Sequence, residues 1–183
     1  MTVEQLNASE YNSFYENYIK SVPKETSLGI LFLENLKEVS ERLARIEEAQ
    51  LSFKYEEGKW TVAEVFQHLI DVERIFQYRA LCLARRETQP LSGFDHDAYV
   101  VCSGAENRTL ESFKTEFEMV RKSTSILFDS FTNDMLKQVG QMNGSSATPR
   151  AIGFIIVGHT MHHLKILQDT MHHLKILQER YGI

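Results

Sequence analysis

Histidine is the residue type in this sequence best suited to chemistry, and five of the seven histidines lie between positions 159 and 173. His159 and His163 are four residues apart, a spacing that on a helix turns the chain by about 40° and lets both rings reach one ion. His162, at a spacing of three, is a competing partner for His159. His68 lies in another apolar helical pattern. Three neutral imidazoles with open coordination positions are typical of a catalytic metal site.

The histidine-rich stretch also contains a duplication. Residues 160–169 and 170–179 are identical at nine of ten positions. Solenoid repeats are longer and diverge, so this copy does not indicate a repeat protein. A shift of ten residues on a helix moves a side chain by about 15 Å and rotates it by about 80°. We therefore expect His172 and His173 to lie outside the site.

The metal hypothesis competes with simpler interpretations. A single histidine on an apolar face is more often a satisfied core residue than a ligand, and the hypothesis rests on His68 occurring together with the pair in the last helix. The HExxH metalloprotease motif is absent because Thr160 stands where its glutamate would be. Glu64 and Asp71, about one turn from His68, are candidates for orienting an imidazole or accepting a proton. An ordinary solvated carboxylate is the alternative for each.

Helices must position these side chains, because apolar residues recur at spacings of three and four along most of the chain. The pattern predicts helices at residues 9–21, 28–50, 60–86 and 109–131, and a last helix from Pro149 onward. Four long amphipathic helices and almost no strand pattern predict an all-α fold, a four-helix bundle with a short extra N-terminal helix.

Two helix starts and one long connection have clear signals. Thr61 and Glu64 form a capping box, and Thr148 with Pro149 supplies an N-cap and a first-turn proline. Residues 87–108 form a connection of a length that is uncommon and often functional. We expect part of this connection to shape a substrate pocket.

Composition excludes several classes of function. The 183 residues are long enough for one domain, which we assign to residues 1–183, and a net charge of −5 without a basic block disfavours nucleic acid or an anionic membrane as partner. No apolar run is long enough to span a bilayer, and the N-terminus lacks a secretory signal pattern. Two cysteines are too few for a disulfide framework. We therefore expect a cytoplasmic protein whose partner is neither nucleic acid nor a membrane.

Three segments in the predicted order resemble the DinB-like family. Residues 60–74 resemble its second-helix signature, residues 94–97 are similar to a segment of its long loop, and residues 158–163 resemble its last-helix motif with two histidines four apart. The resemblance covers roughly residues 10–168. It implies a bundle of up-down-down-up connectivity and often a homodimer, and it does not imply DNA binding.

The same resemblance implies a divalent metal, zinc or nickel, held by His68, His159 and His163. It thereby selects His163 over His162, a choice that spacing leaves open. The family contains proteins that resemble thiol-dependent S-transferases, in which the metal holds a low-molecular-weight thiol such as bacillithiol as its thiolate, and others described as metal-dependent hydrolases.

Three hypotheses about function follow. The first is a metal-dependent S-transferase, with the loop at residues 94–99 shaping the pocket for the electrophile. The second is a hydrolase that uses metal-bound hydroxide. Both are chemically sound because a metal lowers the pKa of a bound thiol or water. The third is a non-catalytic helical bundle that binds a ligand or partner.

Overall fold

Helices dominate the protein in this computed structural model, which describes the backbone of residues 1–181. Short 3₁₀ turns precede the first α-helix. In chain order the elements are α1 (Glu16–Ser21), α2 (Leu28–Leu43), α3 (Val62–Ala84), α4 (His96–Val101), α5 (Leu110–Asp129), α6 (Asn133–Leu136), β1 (Gly140–Met142), β2 (Ser145–Ala147) and α7 (Pro149–Tyr181). The predicted all-α bundle is confirmed, with α2, α3, α5 and α7 as its long helices.

Contacts between the long helices give the direction in which each runs. Gln67 contacts Arg108 and Gln77 contacts Ser123, so α3 and α5 are parallel. Phe32 of α2 contacts Phe128 of α5, and Asn35, later in α2, contacts Arg121, earlier in α5, so these two helices are antiparallel. Leu28 and Arg42 of α2 contact Gly153 and Gln168 of α7 in the same order, so α2 and α7 are parallel. Helices α2 and α7 therefore run one way and α3 and α5 the other, which is the expected up-down-down-up connectivity.

The long connection between α3 and α5 follows from their parallel directions. After α3 ends, the chain must return by roughly 30 Å, the length of α5, before that helix can start. Helix α4 lies within this return segment. The connection was predicted from its length and glycines, but its helix was not.

The two predicted helix starts are confirmed. The hydroxyl of Thr61 accepts a hydrogen bond from the backbone N–H of Glu64 at 3.2 Å, and the Glu64 carboxylate accepts one from the N–H of Thr61 at 2.7 Å. Helix α7 begins at Pro149, and the hydroxyl of Thr148 accepts a bond from the N–H of Ala151 at 3.3 Å. Both caps fix the register of the helices that carry the histidines.

Three local features differ from the predicted pattern. The helix predicted at residues 9–21 is helical only over Glu16–Ser21, and 3₁₀ turns at Ala8–Glu10 and Ser13–Tyr15 precede it. Helix α2 ends at Leu43, not near residue 50, and Ile46 reaches the core from a turn. Strands β1 and β2 form a hairpin across Asn143 and Gly144, whose φ angles are 49° and 74°. Two consecutive positive φ angles are what a tight two-residue hairpin turn requires, and an Asn-Gly pair adopts them readily.

A buried polar cluster links the four long helices. Arg121 of α5 donates from Nε and Nη2 to the two carboxylate oxygens of Glu73 in α3, at 2.8 and 2.9 Å. It also donates to Asn35 of α2 at 3.3 Å and to Thr160 of α7 at 3.0 Å. None of the four side chains is more than 4% exposed. Apolar clusters pack on both sides of this cluster.

Within the described range, none of the helices combines the length and the apolar character that crossing a bilayer requires.

Candidate metal centre

Three histidines from two helices meet inside the bundle. His68 lies on α3, and His159 and His163 lie one turn apart on α7. One ring nitrogen from each lies within 4.8 Å of the others, and all three residues are buried. The Nε2 atoms of His68 and His159 are 3.0 Å apart. The structure thus brings together the three residues that the sequence analysis named as ligands.

Aromatic rings surround the three histidines and restrict their orientations. Trp60, just before the α3 cap, lies 4.6 Å from the His68 ring and stacks on His163 at 6.3 Å, measured between ring centroids. Tyr18 of α1 packs edge-on against His159 at 5.5 Å. These neighbouring rings restrict rotation of the three histidine side chains.

A glycine allows α1 to approach this part of α7. A Cβ atom at Gly158 would overlap the backbone carbonyl group of Tyr18. Backbone atoms cannot give way as a flexible side chain can, so any larger residue here would push α1 outward. The contact between Tyr18 and His159 therefore depends on this glycine.

Burial keeps the imidazoles neutral. Loss of solvation lowers the pKa of His68 to about 4, with a smaller contribution from the nearby His96. Burial also lowers the pKa of His163 to about 3 and that of His159 well below its usual value, and the neighbouring histidines add to both shifts. Neutral imidazole is the form that binds a metal.

One of these rings has an unsatisfied nitrogen. Nδ1 of His163 is buried and has no hydrogen-bond partner among the described residues. A core histidine that only fills space normally pairs its ring nitrogens, because an unsatisfied buried polar atom costs about 1–3 kcal/mol. The interpretation of His163 as a satisfied core residue therefore does not fit the structure.

The histidines open onto a cavity of about 500 Å³. Its walls are mainly aromatic, and its polar groups come from several elements. The residues that line it are Phe14, Tyr15, Tyr18, Trp60, His68, Val72, Phe76, Arg79, Phe94, His96, Asn143, His159, His162 and His163. This volume is in the range of small-molecule sites.

Sequence reasoning missed several of these residues. Tyr15 and Tyr18 were not named as candidates, and His96 was included only as part of the loop at residues 94–99, yet all three side chains line the cavity. Trp60 and Arg79 were not singled out. The position of His96 in a long connection was a signal, whereas nothing in the local pattern distinguishes Arg79.

The two carboxylates predicted as proton-transfer candidates lie apart from the histidines. Glu64 is engaged in the cap of α3 with Thr61. Asp71 accepts a hydrogen bond from Gln67 at 2.9 Å and lines a second cavity, of about 670 Å³, beside α4. Burial raises the pKa of Asp71. The structure therefore does not bring either carboxylate into the histidine cavity.

The second copy of the duplicated segment, residues 170–179, continues α7 as one helix, and its two histidines are exposed. His172 and His173 lie on the surface, whereas His163, the first-copy equivalent of His173, is buried. His162 is exposed at the cavity edge, 5.3 Å from the Tyr18 ring. The buried group of three histidines therefore contains His163 and not His162.

Comparison with known proteins identifies related sequences and folds. The DinB superfamily profile matches residues 31–167. YfiT from Bacillus subtilis, described as a probable metal-dependent hydrolase with an unusual four-helix bundle topology, is similar with a TM-score of 0.68 and 19% identity, over 94% of each chain. The mycothiol-dependent maleylpyruvate isomerase has a TM-score of 0.66 and 11% identity, over 91% of this chain and 63% of its own. These structural likenesses establish the shared fold. Curated protein sequences give no significant match.

Proposed function

This chain belongs to the DinB superfamily, and from that membership and the buried histidine cluster we propose that it is a divalent-metal-dependent enzyme acting on a small molecule. The ligands in this proposal are His68, His159 and His163. The proposed reaction is S-transfer from a low-molecular-weight thiol, and zinc and nickel are the candidate ions.

The observation that carries the proposal is a cluster of three buried imidazoles whose ring nitrogens are poorly satisfied by the rest of the protein. Nδ1 of His163 has no partner among the described residues. The contact between His68 and His159 joins two ring nitrogens to each other, not to a carboxylate or a carbonyl group. Three neutral nitrogens within mutual reach are a donor set that fits a divalent ion. A ligand explains such an arrangement better than packing does.

The chain prepares this site in three ways. A divalent ion bound there would supply a Lewis acid that lowers the pKa of a thiol or a water molecule. Burial keeps the imidazoles unprotonated, so binding has no proton to displace from them at neutral pH. Trp60 packs against His68 and Tyr18 packs against His159, which restricts the orientations of these two rings. The aromatic walls give the cavity an apolar lining beside the histidines, which suits the body of a small organic substrate.

The choice between the two reactions has separate support on each side. Likeness to an isomerase described as mycothiol-dependent favours thiol chemistry. Likeness to YfiT, described as a probable metal-dependent hydrolase, favours hydrolysis as the second candidate. A non-catalytic binding protein is the third.

Metal content tests the ligand assignment with a matched control inside the duplication. His163 and His173 have the same local sequence, but only His163 is buried at the site. We expect wild type and His173→Ala to retain about one zinc or nickel ion per chain after loading and dialysis, and His163→Ala to lose most of it. Elemental analysis measures this. Equal metal content in the two variants would refute the assignment, and a metal-free wild type would favour the binding protein.

Thiol consumption tests the reaction. The metal-loaded protein is incubated with bacillithiol and a reactive electrophile, and His68→Ala serves as the inactive control. Thiol loss above that control supports S-transfer. Turnover of an ester and amide panel without thiol supports the hydrolase instead.

We further infer that residues 1–183 form a single domain that acts as a homodimer in the cytoplasm. The family resemblance and the low cysteine content support these inferences. Sedimentation of the purified protein measures the oligomeric state, and a monomer at micromolar concentration would contradict the dimer.

A further inference from the structure

Arg79 is a buried cation at the histidine cavity. Its side chain lines the cavity, and the residue is only 3% exposed. The guanidinium makes one hydrogen bond, from Nη2 to the backbone carbonyl of Ser92 at 2.6 Å. It lies 5.4 and 5.5 Å from the ring centroids of Phe76 and Phe94. Among the described residues, no carboxylate lies within 4.0 Å of it.

Two other arginines, one buried and one half-buried, have carboxylate partners. Arg121, 1% exposed, binds both oxygens of Glu73. Arg150 binds Glu10 with two of its nitrogens. A buried charge without a partner carries a large desolvation penalty, so proteins keep one mainly where a ligand supplies the opposite charge. Arg79 is the exception that calls for such a ligand.

Arg79 lies on the same face of α3 as His68, farther along the helix. Arg79 and His68 are eleven residues apart on α3, which is about three turns, so they share one face at Cα positions about 16 Å apart along the axis. Both side chains lean toward the N-terminus of α3, and the longer arginine side chain therefore reaches back over part of that separation. Val72 and Phe76 lie between them and line the same cavity.

We propose that Arg79 binds the carboxylate of the small molecule whose other end reaches the three histidines. The apolar middle of the cavity then holds the body of that molecule. This inference rests on the proposed function only in assuming that a metal ion at the three histidines binds the other end of the molecule. The carboxylate belongs either to the thiol or to the second substrate, and the chemistry at Arg79 is the same for both.

The first experiment compares an acid with its neutral amide. Binding of 4-phenylbutyrate and of 4-phenylbutanamide is measured by calorimetry on wild type, Arg79→Met and Arg79→Lys, in metal-free and zinc-loaded forms. We expect wild type to prefer the acid by about tenfold or more, the lysine variant to keep part of the preference and the methionine variant to lose it. Equal binding of acid and amide by wild type would overturn the proposal, as would a preference that survives in Arg79→Met.

This design separates the inference from the proposed function. Acid preference in the metal-free protein depends on Arg79 and not on metal binding, so a failure to bind zinc leaves the result readable. On the zinc-loaded protein, 6-mercaptohexanoate and its amide identify the source of the carboxylate. If zinc raises the affinity for 6-mercaptohexanoate and the acid still binds more tightly than its amide, the carboxylate belongs to the thiol. A zinc-dependent gain without acid preference, with 4-phenylbutyrate still preferred over its amide, assigns it to the second substrate.

Stability distinguishes ligand binding from a structural role for Arg79. Removing a buried charge that has no partner relieves its desolvation penalty, so Arg79→Met is expected to melt at or above the wild-type temperature without ligand. Arg121→Met, which strands the carboxylate of Glu73, is the matched control and should melt well below it. A fall for Arg79→Met as large as that of the control would overturn the proposal.

Discussion

The ion pair between Glu73 and Arg121 gives a sharp test of what stabilises the bundle. Replacing Glu73 by leucine removes both oxygens that bind the guanidinium and leaves a cation that is 1% exposed without its counterion. Breaking a buried pair from one side costs about 3–5 kcal/mol. Since domains of ordinary size have a total free energy of unfolding of about 5–15 kcal/mol, this is a large share.

The double variant separates the value of the pair from the cost of stranding a charge. In Glu73→Leu/Arg121→Met both charges are gone, and apolar groups of similar size replace them. We expect the double variant to recover more than half of the stability lost in either single variant, because the desolvation penalty disappears with the charge. Asn35 and Thr160 would each lose one hydrogen bond, which limits the recovery.

Urea unfolding followed by far-UV circular dichroism measures these differences. A loss of 3–5 kcal/mol corresponds to a fall in melting temperature of about 6–20 °C for a chain of this size. Glu41→Leu is the control, because Glu41 pairs with Lys37 on the surface of α2 at 3.8 Å, and such exposed pairs contribute little. A loss below about 1 kcal/mol for Glu73→Leu, or a double variant as unstable as the sum of the singles, would refute the reasoning.

Two further predictions concern α1 and the segment before it. Gly158→Ala should lower the free energy of unfolding by about 1–3 kcal/mol, because its Cβ would meet the Tyr18 carbonyl. The control Gly29→Ala, in open space in the first turn of α2, should raise the free energy of unfolding by about 0.5 kcal/mol. Urea titrations in which both changes have the same sign would contradict this. Burial raises the pKa of Glu10, but hydrogen bonds led by that from Arg150 outweigh it and lower the pKa from 4.5 to about 2. The stabilisation is therefore complete above pH 4.5 and lost as the pH falls toward 2. Wild type should exceed Glu10→Gln in free energy of unfolding by about 1–2 kcal/mol above pH 4.5, after allowance for solvent screening, and this difference should shrink as the pH falls. A difference independent of pH would exclude this linkage.

Local signals predicted the parts of the fold that depend on neighbouring residues. The capping box of Thr61 and Glu64 and the Thr148-Pro149 start were found because a cap needs residues within one turn. The end of α2 was misjudged because Ile46 continues the helical apolar spacing, and a turn buries it equally well. The hairpin had a signal in Asn143-Gly144, but three-residue strands are too short to give an alternating pattern.

The candidate site divides in the same way. The spacing of His159 and His163 and the apolar pattern around His68 were sufficient to propose that they face the core, because helical periodicity fixes which side chains share a face. Periodicity left the choice between His162 and His163 open. The family resemblance selected His163, and the structure places His163 in the buried group. Glu64 and Asp71 were candidates because each lies about one turn from His68. Closeness along a helix does not show which side chains reach the cavity, and neither carboxylate does.

The sequence by itself indicated the four long helices, two of their caps, the family and three candidate histidines, since these depend on residue type and short-range spacing. Only the tertiary structure decided what surrounds them. Trp60, Tyr18, His96 and Arg79 line one cavity because the helices and the long connection pack together there, and such long-range contacts leave no periodic pattern in the sequence. Whether a buried cation has a partner is likewise a property of the packed chain, and this is why Arg79 could be recognised only in the folded protein.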